Sequence, residues 1–133
     1  MQKEMTDEEL AQAGQSLTTL LSKKEFKRVE EEFGYALRHG RPAHDAIKQD
    51  LERELKACDS FGPIDPERAE IRVSHFEPEN DLGLKSLIEC FVQVSERKGI
   101  LFELVLNHGG LYLEDISNYN LNEKHNQPVR DNA

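Results

Sequence analysis

Apolar residues recur every three or four positions in the first half of the chain and every second position through most of the second half. A buried helix stripe leaves the first period in a sequence, and a buried sheet face leaves the second. Leu10, Ala13, Leu17, Leu20 and Leu21 form the first stripe. Before it stands Thr6-Asp7-Glu8-Glu9, a capping box with a threonine N-cap and a glutamate three residues on. The spacing predicts a helix over 7–21. Ser22-Lys23-Lys24-Glu25 repeats the box, and Phe26, Val29, Phe33, Ala36 and Leu37 make a second stripe. Arg38-His39-Gly40 suits its end, because cations favour the negative helix terminus and glycine takes the left-handed cap. Pro42 falls at or near a first helical position. Ala43, Ile47, Leu51, Leu55 and Cys58 then share one face of a third helix over 43–58, which Asp59-Ser60-Phe61-Gly62-Pro63 stops.

Alternation takes over after that. Ile71 and Val73 alternate with Glu70, Arg72 and Ser74, a strand over 69–76. The loop Glu77-Pro78-Glu79-Asn80-Asp81 follows. Ile88, Cys90, Val92 and Val94 give a second strand, and Glu96-Arg97-Lys98-Gly99 a turn. Ile100, Phe102, Leu104 and Leu106 give a third strand, Asn107-His108-Gly109-Gly110 a hairpin turn, and 111–117 a fourth strand. Short connections between the last three strands imply an antiparallel meander with the helices on one face. The fold class expected is therefore α+β: three N-terminal helices on a four-stranded antiparallel sheet, one domain over 1–117. From Asn118 to Ala133 the chain is polar and aperiodic and reads as a disordered tail.

Composition changes this picture in three ways. Trp is absent and aromatics are few, so Leu, Ile and Val must build the core. The acidic start, Met1 to Glu9, lacks the basic and apolar regions of a secretory signal, and no apolar run approaches the ~20 residues that span a bilayer. The chain reads as cytoplasmic and off the membrane, with Cys58 and Cys90 as buried thiols, although two cysteines leave a disulfide open. The net charge of −9 repels nucleic-acid phosphates and suits either plain solubility or a basic protein partner. Residues 1–60 hold ten Lys/Arg against thirteen Asp/Glu, and residues 61–133 seven against thirteen, so the negative charge concentrates in the sheet half.

Catalytic motifs are missing from this reading. There is no glycine-rich phosphate loop and no Gly-Lys-Ser/Thr triplet. His75, Glu77 and Glu79 form the one local cluster of metal-ligand type, in a segment that Pro78 interrupts, and no metal or other cofactor is expected. Cys58 and Cys90 fall on apolar faces, where a thiol stays protonated. The chain is not expected to be an enzyme.

The informative feature is the second face of the sheet. Leu87, Phe91, Leu101, Val105, Tyr112 and Ile116 share it with Glu89, Glu103 and Glu114. A mixed face of this kind is covered by a helix, lines a pocket or docks a partner. In the pocket case Glu89, Glu103 or His108 would be the acid or base of a small-molecule-binding or catalytic domain. In the docking case the partner-binding residues would be Glu77, Glu79, Asp81, Glu89, Glu103, Tyr112 and Glu114, facing a basic protein. An open face also allows a homodimer.

Helices followed by a curved antiparallel sheet resemble the nuclear-transport-factor-like and cystatin-like layouts, with the difference that here all helices precede all strands. The hairpin Phe102 to Ile116 is similar to the closing hairpin of some small bacterial domains. In size, acidity and lack of motif the chain resembles the immunity proteins of bacterial toxin systems. That resemblance implies a small cytoplasmic inhibitor that binds and neutralises a cognate toxin domain such as a nuclease, and it assigns no residues.

Overall fold

The computed structural model describes residues 5–60, 63–76 and 83–121. Three α-helices come first: α1 Asp7–Ser22, α2 Phe26–Glu32 and α3 Ala43–Ala57. A 3-10 turn, Pro66–Arg68, leads into four strands: β1 Ala69–His75, β2 Ser86–Gln93, β3 Lys98–Asn107 and β4 Gly110–Asn120. The strands form one antiparallel sheet in the order β1-β2-β3-β4. The expected α+β class and meander are what the chain adopts.

The start of α1 follows from its box. Thr6 Oγ1 accepts from the Glu9 amide at 3.1 Å, and the Thr6 amide donates to Glu9 Oε1 at 2.9 Å, so two orphan groups of the first turn are satisfied. The stripe of α1 then lies on the sheet. Leu10 and Leu17 are fully buried. Gly14 lets the helix come close: a Cβ there would stand 2.9 Å from Cys90 Sγ and 3.0 Å from Ile88 Cγ2. The helix residues cluster with Ile88, Cys90, Val92, Ile100, Phe102 and Leu104, the face expected to pack.

Two elements depart from the sequence expectation. The second helix stops at Glu32, short of the expected Arg38-His39-Gly40. Gly34 takes a left-handed φ of 68° and its amide donates to the Val29 and Glu30 carbonyls, which closes the helix one glycine early. The chain then turns to the sheet. Tyr35 makes a parallel bridge to Leu113, and the Ala36 amide donates to the Leu113 carbonyl at 2.9 Å. Tyr35 is buried, with its hydroxyl 2.6 Å from Asp50 of α3. Ala36 and Leu37, read as helix stripe, thus belong to a turn that follows the Tyr35 bridge.

The fourth strand also differs. Between Glu103 and Leu104 the β3–β4 register shifts, leaving Glu114 as an extra residue between Leu113 and Asp115. Beyond this bulge the side chains exchange faces. Ile116 pairs with Phe102 and is buried in the helix-covered core, not on the second face. The strand also runs past 117: Gly99 pairs with Tyr119 and Lys98 with Asn120. Asn118 donates to Glu54 of α3 at 2.6 Å, and the Leu121 amide donates to the Arg97 carbonyl. Residues 118–120, read as the start of a tail, are therefore strand.

The helix-side network around Asp50 was not legible in the sequence. Asp50 is 2% exposed yet carries a charge. It accepts from Tyr35, from Arg41 at 3.1 Å and from Arg53 at 3.0 Å. Burial would raise its pKa, but the bonds from Arg41 and Tyr35 and the charges of Arg53 and Arg41 outweigh it and hold Asp50 below its ordinary value. Nearby, Glu30 of α2 caps α3: its carboxylate accepts from the His44 amide at 3.0 Å and pairs with the His44 ring.

Candidate functional site

Alternation puts Glu70, Arg72 and Ser74 of β1 on the second face with Leu87, Glu89 and Phe91 of β2 and Leu101, Glu103 and Val105 of β3. The register aligns charges across it. Arg72 stands opposite Glu89, Glu89 opposite Glu103, and Glu103 opposite Asp115. One row of the backbone register therefore runs Arg72, Glu89, Glu103, Asp115, with the last of these subject to the charges of Glu54, Asp50 and Arg53 of α3. Like charges directly opposite each other cost a sheet up to about 1 kcal/mol per pair.

Of the seven partner-binding residues expected from sequence, Glu89 and Glu103 meet in this row. Tyr112 lies one strand over, opposite Val105, and Glu114 is the extra residue of the bulge. Burial and the neighbouring Glu114 carboxylate push the Tyr112 phenol above its ordinary pKa. Glu77, Glu79 and Asp81 lie outside the described residues. Sequence reasoning missed Asp115, which the register sets opposite Glu103 and which the charges of α3 reach. Burial pushes its carboxyl up, Glu54 and Asp50 add to that, and Arg53 and a backbone hydrogen bond oppose it. The sequence held a signal: Leu111 and Leu113 keep odd parity, while Ile116 breaks it, as a one-residue bulge requires.

The apolar part of this face is closed. Phe91, Leu101 and Val105 are only 5%, 7% and 5% exposed, and Phe76 is the one exposed large apolar side chain among the described residues. The broad apolar patch expected here is therefore not on display. Side chains of the face itself contribute to the closure. The Arg72 guanidinium lies 4.9 Å above the Phe91 ring, and Tyr119 meets Phe91 edge-on at 5.3 Å between centroids. Tyr119 also covers Gly99, whose missing side chain makes the space for the ring. Among the described residues this face exposes Glu70, Arg72 and Ser74 and leaves Leu87, Glu89, Glu103 and Tyr112 half-buried.

The remaining candidates are held elsewhere. His108 sits in the two-residue turn between β3 and β4, five residues from Glu103, which is roughly 16 Å along a strand. The structure does not bring that pair together. His75, of the local His75, Glu77 and Glu79 group, is bound to Ser86 at 2.8 Å and to Asp7 at 2.7 Å, tying β1 to β2 and to the start of α1. Cys58 and Cys90 are free and buried. Burial pushes the Cys90 thiol up to about 12, so it is not a nucleophile at neutral pH. Against α1 the sheet leaves no room at Gly14 for a ligand. No helix among the described residues is long and apolar enough to cross a membrane. No protein-family model, no curated protein and no solved structure matches this chain.

Proposed function

We propose that this chain is a non-enzymatic acidic binding protein whose second sheet face takes a basic protein partner. In its most concrete form it is an immunity protein that neutralises a cognate toxin domain such as a nuclease. The observation that carries the proposal is the pairing of Glu89 with Glu103 on adjacent strands of the second face. Like charges set opposite each other on neighbouring strands work against sheet stability unless other groups offset them. With a net charge of −9 behind it, the pair offers a cationic groove the same sign of charge as a nucleic-acid backbone. A rigid strand surface adds a second advantage, because it needs little ordering when it binds.

The test is the rate of association with the product of the adjacent gene, measured over a range of ionic strengths. Charge steering predicts a rate that falls steeply with salt, and a Glu103→Lys variant that associates roughly tenfold more slowly while melting like the parent. No complex, or a rate indifferent to both salt and substitution, removes the proposal.

A further inference from the structure

The two edges of the sheet are treated differently. At the β4 edge Tyr35 bridges Leu113, the Ala36 amide is bonded to it, and the bulge at Glu114 interrupts the strand. These are ordinary devices that keep an edge from pairing with another chain. Among the described residues β1, at the other edge, shows none of them. Its seven residues, Ala69–His75, include no proline and no lysine, and its pairing with β2 runs without a shift.

Hydrogen-bond parity says which backbone groups this edge presents. The Val94 amide donates to the Lys98 carbonyl, so the even-numbered residues of β2 face β3 and the odd-numbered ones face β1. Glu70, Arg72 and Ser74, opposite Phe91, Glu89 and Leu87, then point their backbone groups inward. The Phe76 amide, bonded to the Lys85 carbonyl, continues the same parity. Ile71 and Val73 point theirs outward, and among the described residues nothing is bonded to them. The Ala69 amide is used by the Pro66 carbonyl, which leaves the Ala69 carbonyl facing out.

We propose that β1 pairs antiparallel with β1 of a second copy, in the register centred on Ile71. Only registers that set odd residues against odd residues satisfy the outward groups. Centring on Glu70 puts Glu70 against Glu70, and centring on Arg72 puts Arg72 against Arg72. Centring on Val73 sets Arg72 against Ser74 and pairs no charges. Centring on Ile71 places Glu70 of each copy opposite Arg72 of the other, twice, in the closer of the two kinds of cross-strand pair. Glu70 and Arg72 already form an ion pair at 3.0 Å within the strand, so the two copies would join into one four-membered charge network. Ile71 meets Ile71, and Val73 meets Ala69. Phe76, just past the end of β1, is the one exposed large apolar side chain among the described residues, and the pairing brings it toward the partner's Pro66–Arg68 turn. The result is a continuous eight-stranded sheet with two-fold symmetry. The occupant is a second copy because the edge is complementary in charge to itself.

Sedimentation equilibrium of the full chain from low to high micromolar concentration tests this. The parent should pass from monomer to dimer. Glu70→Arg alone and Arg72→Glu alone place like charges opposite each other twice, and each should weaken the dimer by roughly tenfold or more. The double variant Glu70→Arg/Arg72→Glu restores unlike pairs and should recover the dimer. Circular dichroism melts of the single variants at a concentration where all are monomeric separate loss of pairing from loss of fold. A parent that stays monomeric throughout overturns the proposal, whatever other chain the edge binds. So does a dimer that the single variants leave intact or the double variant fails to restore. The readout is oligomeric state, which does not depend on the toxin-binding proposal.

Discussion

The two faces of the sheet are built from the same strands and solve opposite problems. On the helix side, Ile88, Cys90, Phe102 and Leu104 are fully buried against α1 and its neighbours, and the closest approach is set by a missing side chain at Gly14. On the second side, burial of Phe91, Leu101 and Val105 coexists with a pair of facing carboxylates, and another missing side chain, at Gly99, makes room for Tyr119. One face is organised by volume and the other by charge. Burial alone therefore does not tell the two faces apart. The sign and alignment of the polar residues do.

The largest effects should come from breaking the packed face. Phe102→Ala empties a fully buried site and should cost about 3–5 kcal/mol in chemical denaturation. Asp50→Ala removes the acceptor shared by Tyr35, Arg41 and Arg53 and should cost about 3 kcal/mol, because two guanidiniums and a buried hydroxyl lose their partner. The pH dependence follows from the sign of the Asp50 shift. Its folded pKa is lowered, so the stability it lends is complete above the unfolded value of about 3.9 and is lost as pH falls through the lower folded value. Parent and Asp50→Asn melting curves should therefore converge only in that acid range.

Gly14→Val presses a branched side chain on Cys90 and Ile88 and should cost about 1–3 kcal/mol. Adding Cys90→Ala should recover part of that loss. Full additivity in the double-mutant cycle would mean that the helix and strand do not meet there.

On the charged face the effects should be smaller. Tyr119→Ala uncovers Gly99 and the edge of Phe91, and should cost about 1 kcal/mol. Asp115→Asn should change sign and stabilise at neutral pH. A carboxyl whose folded pKa is raised destabilises the fold as pH climbs through that value, and the amide does not titrate. A melt of Asp115→Asn that falls below the parent at pH 7 would mean that the carboxylate is held by groups that stabilise its charge.

Most of the element order was legible from residue spacing. The helix stripes of 7–21 and 43–58, the β2 and β3 alternation and the Asn107-His108-Gly109-Gly110 turn all lie close to where periodicity put them. The second helix was misjudged because two glycines offered an end. Gly34 took it once Tyr35 found both a strand edge and a buried carboxylate. Neither partner is near Tyr35 in the chain, so local propensity had no access to them. Asp50 is buried with the Tyr35 hydroxyl and the Arg41 guanidinium, partners fifteen and nine residues away in the chain, as well as with Arg53 one turn on.

Of the candidate site, the sequence supplied the acidic residues and their half of the chain, since net charge and alternation are local properties. It could assign Glu89 and Glu103 to one face, because a strand has a strict period of two. It could not set Asp115 in register with Glu103 or remove Ile116 from that face, because one extra residue in a strand reverses every later side chain and only pairing with a neighbour shows where it lies. Nor could it show that Arg72 and Tyr119 would help close the apolar centre. Composition and periodicity determined which elements form and what charge they carry. Register, the bulge and the contacts across the sheet decided which of those charges stand together, because cross-strand neighbours are set by hydrogen bonds between residues far apart in the chain.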